Sequence, residues 1–123
     1  MKLTKNFTLE EFKCKDGTYP SGTALKNTEE LAKNLQVLRD HIGKPIYINS
    51  GYRTIKHNEK VGGAKFSQHL IGKAADIVVK GMTPREVYLA IEELFSNNKM
   101  KLGGLTEYST FVHYDIRGYR AKW

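Results

Sequence analysis

Leu31, Leu35, Leu38 and Ile42 recur at helical spacing and lay one apolar stripe along a segment that Gly43 and Pro45 bring to a stop. A helix with a single apolar face is stable only when a second layer covers that face. The spacing predicts a helix from about Thr28 to Ile42, with Asn27 as its cap and Glu30 three residues on. Ile46-Tyr47-Ile48 follows at once and reads as a short strand. A second helix starts at Thr83-Pro84-Arg85-Glu86. Thr83 caps, Pro84 suits the first helical position and Glu86 completes a capping box. Val87, Ala90, Ile91 and Leu94 form its apolar face, and Asn97-Asn98 ends it.

Two further runs read as strands. Ala74 to Val79 is rich in small and β-branched residues, and Phe111 to Ile116 splits into two alternating sets. Thr8 to Phe12 reads as one capped turn closed by Thr8 and Glu11, and Lys15 to Lys26 as loop. Gly51 to Lys65 reads as a long structured loop, and Gly103-Gly104 as a turn. Strands and helices alternate irregularly, which fits an α+β fold with a small antiparallel sheet and two main helices. The 123 residues suit a single domain spanning 1–123, with no internal repeat and no linker-like tract.

Lys and Arg number 20 against 13 Asp and Glu, a net charge of +7 that favours polyanionic partners. Charge kept for solubility alone explains the same balance. No run of five or six basic residues marks a nucleic-acid tail, so no nucleic-acid partner is expected. No apolar run approaches the roughly 20 residues needed to span a bilayer, so no membrane insertion is expected. The N-terminal residues lack the apolar core of a conventional secretory signal. Cys14 is the one cysteine, which excludes an internal disulfide and a cysteine-rich zinc site.

Four histidines remain as chemistry-bearing residues. His41 falls at the end of the first helix, where it suits the helix dipole. His57 falls in a polar loop and reads as solvated or at the rim of a site. His69 precedes Gly72, Ala74 and Ala75, small residues that let backbone segments approach closely, and then Asp76. Asp76 opens an apolar strand, where a carboxylate needs a partner. Backbone amides satisfy that need, and so does a metal ion. His113 adds a third ligand of a type zinc accepts, and Asp115 projects from the same strand face. A fourth position left open for water would make such a site catalytic, because zinc acidifies water and polarises a carbonyl.

The stretches Ser50-Gly51-Tyr52-Arg53, Val61-Gly62-Gly63-Ala64, Ser67-x-His69-x-x-Gly72-x-Ala74-Ala75-Asp76 and Phe111-Val112-His113-Tyr114-Asp115 resemble the zinc D-alanyl-D-alanine carboxypeptidase family. That family also holds the L-alanyl-D-glutamate endopeptidases of phage lysins and other murein endopeptidases. The resemblance runs from about residue 45 to Trp123, and more weakly over Phe7 to Phe12 and the first helix. It implies a hedgehog/DD-peptidase-like fold whose sheet carries the zinc site. His69, Asp76 and His113 match the family's zinc ligands. Arg53 matches the arginine that holds a substrate carboxylate, a task suited to its bidentate fork. Ser67 matches a polar residue lining the site, though a loop-capping hydroxyl explains it equally.

The general base is where the match departs. Larger members place a glutamate three residues before the last ligand or a histidine five before it, and here those positions are Thr110 and Tyr108. Asp115, in the His-x-Asp pattern of the compact branch, is the first expectation for the base, with orientation of a ligand as its other reading. Glu107 is the second, by its match to a glutamate of the zinc-binding signalling domain of hedgehog. Tyr108 is expected to donate a hydrogen bond to a developing oxyanion, or else to pack. Trp123 and Tyr52 read as packing.

The resemblance therefore implies a zinc metallopeptidase acting on peptidoglycan peptides at the bacterial cell wall. A monomer is expected, and the N-terminal residues, lacking a secretory signal, lead to the expectation of synthesis in the cytoplasm and delivery by phage lysis or a tail structure. The rival expectation is a non-catalytic zinc-binding phage structural or interaction module.

Overall fold

The computed structural model describes all 123 residues. Three helices, α1 (Gly22–Ile42), α2 (Ile55–Lys60) and α3 (Pro84–Ser96), accompany four strands, β1 (Ile46–Ser50), β2 (Ala74–Val79), β3 (Leu105–Glu107) and β4 (Val112–Asp115). Two single 3-10 turns, Leu9–Phe12 and Gln68–Ile71, complete the regular structure. The strands form one sheet in the order β1-β2-β4-β3, every neighbouring pair antiparallel. The architecture is α+β, as the irregular alternation of elements predicts.

The apolar stripe of α1 is buried at Leu31, Ala32, Leu35 and Leu38. Gly43 ends the helix in the left-handed conformation, φ 66°, and its N–H returns to the Arg39 carbonyl at 3.0 Å. The helix starts at Gly22 rather than Thr28, with Ser21 as its cap. Asn27 and Thr28 are not cap residues, because their side chains reach sideways. Asn27 donates to the Ile71 carbonyl at 2.8 Å and Thr28 to the Gly72 carbonyl at 3.2 Å. The predicted capping box of α3 is present: the Glu86 N–H donates to Thr83 Oγ1 at 3.1 Å and the Thr83 N–H to Glu86 Oε1 at 2.9 Å.

Two elements depart from the sequence reading. The predicted loop 51–65 contains α2, whose first turn is capped by Thr54 accepting from the His57 N–H at 3.2 Å. The Gly103-Gly104 pair leads directly into β3, which at three residues is too short to show alternation in the sequence.

Strand alternation gives the sheet two unlike faces. Ala75, Ile77 and Val79 of β2, Leu105 of β3, and Val112, Tyr114 and the adjoining Ile116 on β4 join a core with residues of α1 and α3. The opposite face carries polar side chains. The register sets Asp76 beside His113, Thr106 on the other side of His113, and Ala74 beside Asp115. No helix is long and apolar enough to cross a membrane.

Candidate metal centre

His69 lies in the 3-10 turn before β2, and three local features hold it there. Its N–H donates to Ser67 Oγ at 3.2 Å, its carbonyl accepts from the Arg53 N–H at 3.0 Å, and Gly72 closes the turn at φ 75°. A side chain at Gly72 would press on the Ala24 carbonyl and lie 2.8 Å from Thr28 Oγ1, so only glycine lets the turn rest on α1. Asp76 and His113 reach the same place from neighbouring strands. The three side chains each offer one ligand atom, and these atoms lie within 4.8 Å of one another. All three residues are buried.

The second nitrogen of each imidazole is already committed. His69 Nδ1 donates to the Gly51 carbonyl at 2.7 Å, leaving Nε2 to face Asp76 Oδ1 at 3.3 Å. His113 Nε2 faces Asp115 Oδ2 at 2.8 Å, leaving Nδ1 to face Asp76 Oδ1 at 3.1 Å. Two ring lone pairs and a carboxylate oxygen thus converge with no donor of their own between them. That arrangement calls for a cation, and two imidazoles with one carboxylate are ligands zinc accepts. The residues present fit a zinc ion.

Electrostatics agree with the geometry. Burial raises the Asp76 pKa, but when a proton takes the cation's place on the inner nitrogens, hydrogen bonds from His113 and His69 outweigh burial and hold the carboxyl below the usual carboxylate range. Burial lowers the His113 pKa, but its bonds to Asp115 and Asp76 win and move it upward, as positive charge is favoured between two carboxylates.

The site opens into a cavity of about 560 Å³ that includes Arg53, Ser67 and Tyr108 in its lining. Arg53 donates to Ser50 Oγ at 3.0 Å, Asn58 Oδ1 at 3.2 Å and Asp76 Oδ2 at 3.3 Å, which fixes its plane. Ser67 both caps the His69 turn and faces the cavity, so its two readings describe one residue.

Neither expected base lines the cavity. Asp115 shares the strand face of His113 but is fully buried, and its oxygens are occupied. Oδ1 accepts from the Gly104 N–H at 2.8 Å and Arg117 Nε at 2.9 Å, and Oδ2 from Arg117 Nη2 at 2.7 Å and His113 Nε2. Burial raises the Asp115 pKa, and these bonds from His113, Arg117 and Gly104 reverse the shift and lower it. The carboxylate therefore sits behind His113, on the side away from Asp76. Glu107 is displaced for a different reason. It stands one residue past Thr106, so alternation turns it to the helix-bearing face, where it pairs with Arg85 Nε of α3 at 3.0 Å.

His41 pairs with Glu93 at 2.9 Å, and His57 lies in α2; neither lines the cavity. Arg117, Trp123 and Phe66 do line it and were not expected to. The signal for Arg117 is its position two beyond Asp115, which continues the parity of His113 and Asp115. Trp123 stands edge-on to His113, with ring centroids 4.8 Å apart at 65°.

Comparison with known proteins agrees with this geometry. A stretch of 78 residues is 38% identical to the zinc D-Ala-D-Ala carboxypeptidase of Streptomyces albus G, covering 58% of this chain and 31% of that protein. The chain thus spans under a third of the length of this curated relative. A sequence model of the family described as Peptidase M15 matches residues 5–115, a range that takes in all three helices, all four strands and the His69, Asp76 and His113 cluster, so the chain belongs to the peptidase M15 family.

Proposed function

We propose that this chain is a zinc-dependent peptidase that hydrolyses peptide bonds in bacterial peptidoglycan stem peptides or cross-links. The observation that carries the reading is the convergence of His69 Nε2, His113 Nδ1 and Asp76 Oδ1, with each imidazole oriented from behind. The match to a zinc D-Ala-D-Ala carboxypeptidase supports the substrate class. A zinc ion held by His69, Asp76 and His113 supplies Lewis acidity, which acidifies water and polarises a carbonyl oxygen.

The chain's own residues bind and orient. Arg53, braced by Ser50 and Asn58, presents its guanidinium to the cavity for a carboxylate of the peptide. Tyr108 borders the same cavity and offers a hydroxyl to an oxyanion. Asp115 acts as a positioning residue: its Oδ2 fixes the outer nitrogen of His113, and Arg117 locks the carboxylate with a two-pronged grip. Residues 1–123 act as one monomeric unit at the cell wall, and the +7 charge suits approach to an anionic wall polymer. Phage lysis or a tail structure is the proposed route of delivery.

One observation favours a second reading, a metal-binding module without hydrolysis. Beyond the three ligands, no carboxylate or imidazole lines the cavity to take a proton from water. The zinc-loaded chain incubated with defined muropeptides, followed by mass spectrometry, separates the two. Release of D-alanine or a split stem peptide supports the peptidase. Intact peptides beside full zinc occupancy support the module.

A further inference from the structure

Residues after β4 run back over the molecule as a strap. Ala121 forms a parallel bridge with Gly104, and the Leu105 N–H donates to the Ala121 carbonyl at 3.0 Å. Arg120 reaches Glu92 on α3 at 2.6 Å and lies over the Phe95 ring, and Lys122 lies over Tyr88. This anchoring delivers Trp123 to the cavity. Its N–H donates to Thr106 Oγ1 at 3.4 Å, and the Arg117 guanidinium lies 5.2 Å from the indole centroid. The indole stands beside His113 yet remains 56% exposed, so packing alone does not account for its placement. The strap lies outside the stretch matched by the family, residues 5–115.

The informative contact is polar. Trp123 Nε1–H donates to the Tyr108 hydroxyl oxygen at 2.5 Å. A phenol carries one proton and its oxygen also accepts. Conjugation keeps that proton near the ring plane, so it has two favoured directions, and an indole N–H occupying the oxygen from one side leaves the other. The Tyr108 ring itself is fixed, stacked on Phe111 with centroids 4.5 Å apart at 16°, and its N–H closes a turn on the Phe111 carbonyl at 2.9 Å.

We propose that Trp123 is a positioning residue: its indole N–H turns the Tyr108 hydroxyl so that its proton is given to the carbonyl oxygen of a peptide bound in the cavity. This rests on the peptidase reading above and adds the residue that aims its oxyanion donor. The donor works best when it is aimed before the charge develops, which is what a fixed indole provides.

The test is a double-mutant cycle on the zinc-loaded chain with Trp123→Phe, Tyr108→Phe and the double variant. Trp123→Phe keeps an aromatic ring at this position and removes the N–H together with one ring of the indole, and the double variant separates the two losses. Loss of one oxyanion donor costs about 10²–10³ in kcat, so Tyr108→Phe is expected in that range, and Trp123→Phe about tenfold, each with KM little changed. The double variant should be no slower than Tyr108→Phe alone. Trp123→Phe equal to wild type, or effects that multiply in the double variant, would overturn the proposal.

Two readouts need no turnover. Trp123 is the sole tryptophan, so Tyr108→Phe should shift its emission at unchanged zinc content, and an unchanged spectrum refutes the contact. A phosphinate peptide, whose tetrahedral oxygens imitate the hydrated carbonyl, should bind more weakly to both single variants by calorimetry; equal affinity to wild type overturns the proposal. If wild type neither cleaves muropeptides nor binds the phosphinate, the peptidase reading itself fails, and the inference that rests on it falls with it.

Discussion

Asp76 Oδ1 faces two imidazoles at once, and the carbonyl of Gly51 and the carboxylate of Asp115 decide which nitrogen each imidazole presents. Removing the partner behind a metal-bound histidine typically costs about 10–100-fold in metal affinity. Asp115→Asn should therefore weaken zinc binding by about that factor, measured by competition with a chromophoric chelator. Unchanged zinc affinity with a kcat loss of about 10²–10⁴-fold would instead return Asp115 to the role of base. Arg53→Lys keeps a positive charge but loses the planar fork. It should raise KM for hydrolysed muropeptides more than it lowers kcat, and an unchanged KM on every substrate would remove the carboxylate-binding role. At this scale the cluster of His69, Asp76 and His113 was legible through the family resemblance, because two histidines and an aspartate at these spacings do not define a site by themselves. The base was not, because parity names a face and not a destination. Asp115 does share the face of His113, yet strand residues two apart are separated by about 7 Å, and this carboxylate turns back to the outer nitrogen of the ring.

The 3-10 turn Gln68–Ile71 is the smallest element of the site and the one most dependent on its neighbours. Asn27 and Thr28 of α1 hold its end, and Gly72 closes it where a side chain would collide with α1. Gly72→Ala would place alanine at φ 75° against the Ala24 carbonyl, with a cost of about 1–3 kcal/mol for the strained backbone before the collision is counted. Thermal unfolding should report that loss, together with reduced zinc content because His69 moves. A variant as stable and as metal-rich as wild type would contradict this account of the turn. Thr83→Ala is the control at the same scale. It removes the cap of α3 at a cost of about 1 kcal/mol and should leave zinc content unchanged. Loss of metal in that variant would show that α3 supports the site more directly than the fold implies. The Thr83-Pro84-Arg85-Glu86 start was readable because a cap, a proline and a box residue agree locally. The start of α1 was not, because Asn27 looks like a cap and Thr28 like a first helical residue in sequence, while their side-chain hydrogen bonds go to Ile71 and Gly72, far along the chain. β3 escaped for want of length, and Glu107 was misplaced with it.

The whole molecule works as a sheet with one face given to packing and one to chemistry. α1 and α3 cover the apolar face, and loops and the strap wall the polar one, so side chains from β2, β4 and the Gln68–Ile71 turn meet at one point. That division was foreseeable in outline, since strand alternation predicts two faces and a mixed pattern predicts α+β. The strap was not foreseeable, because Arg120 and Trp123 carry no period and declare their places only through partners on α3 and on the site. The central claim is that the polar face of the sheet and the Gln68–Ile71 turn build a metal centre, and metal content tests it most directly. Purified wild-type chain and His113→Ala are each loaded with zinc, desalted and measured by elemental analysis, with circular dichroism to check folding and Trp123 emission to follow the metal beside His113. The account predicts about one zinc per wild-type chain, with a change in emission on loading, and little zinc in a folded His113→Ala variant. Full zinc retention in folded His113→Ala, or a wild-type chain that holds none, would contradict it.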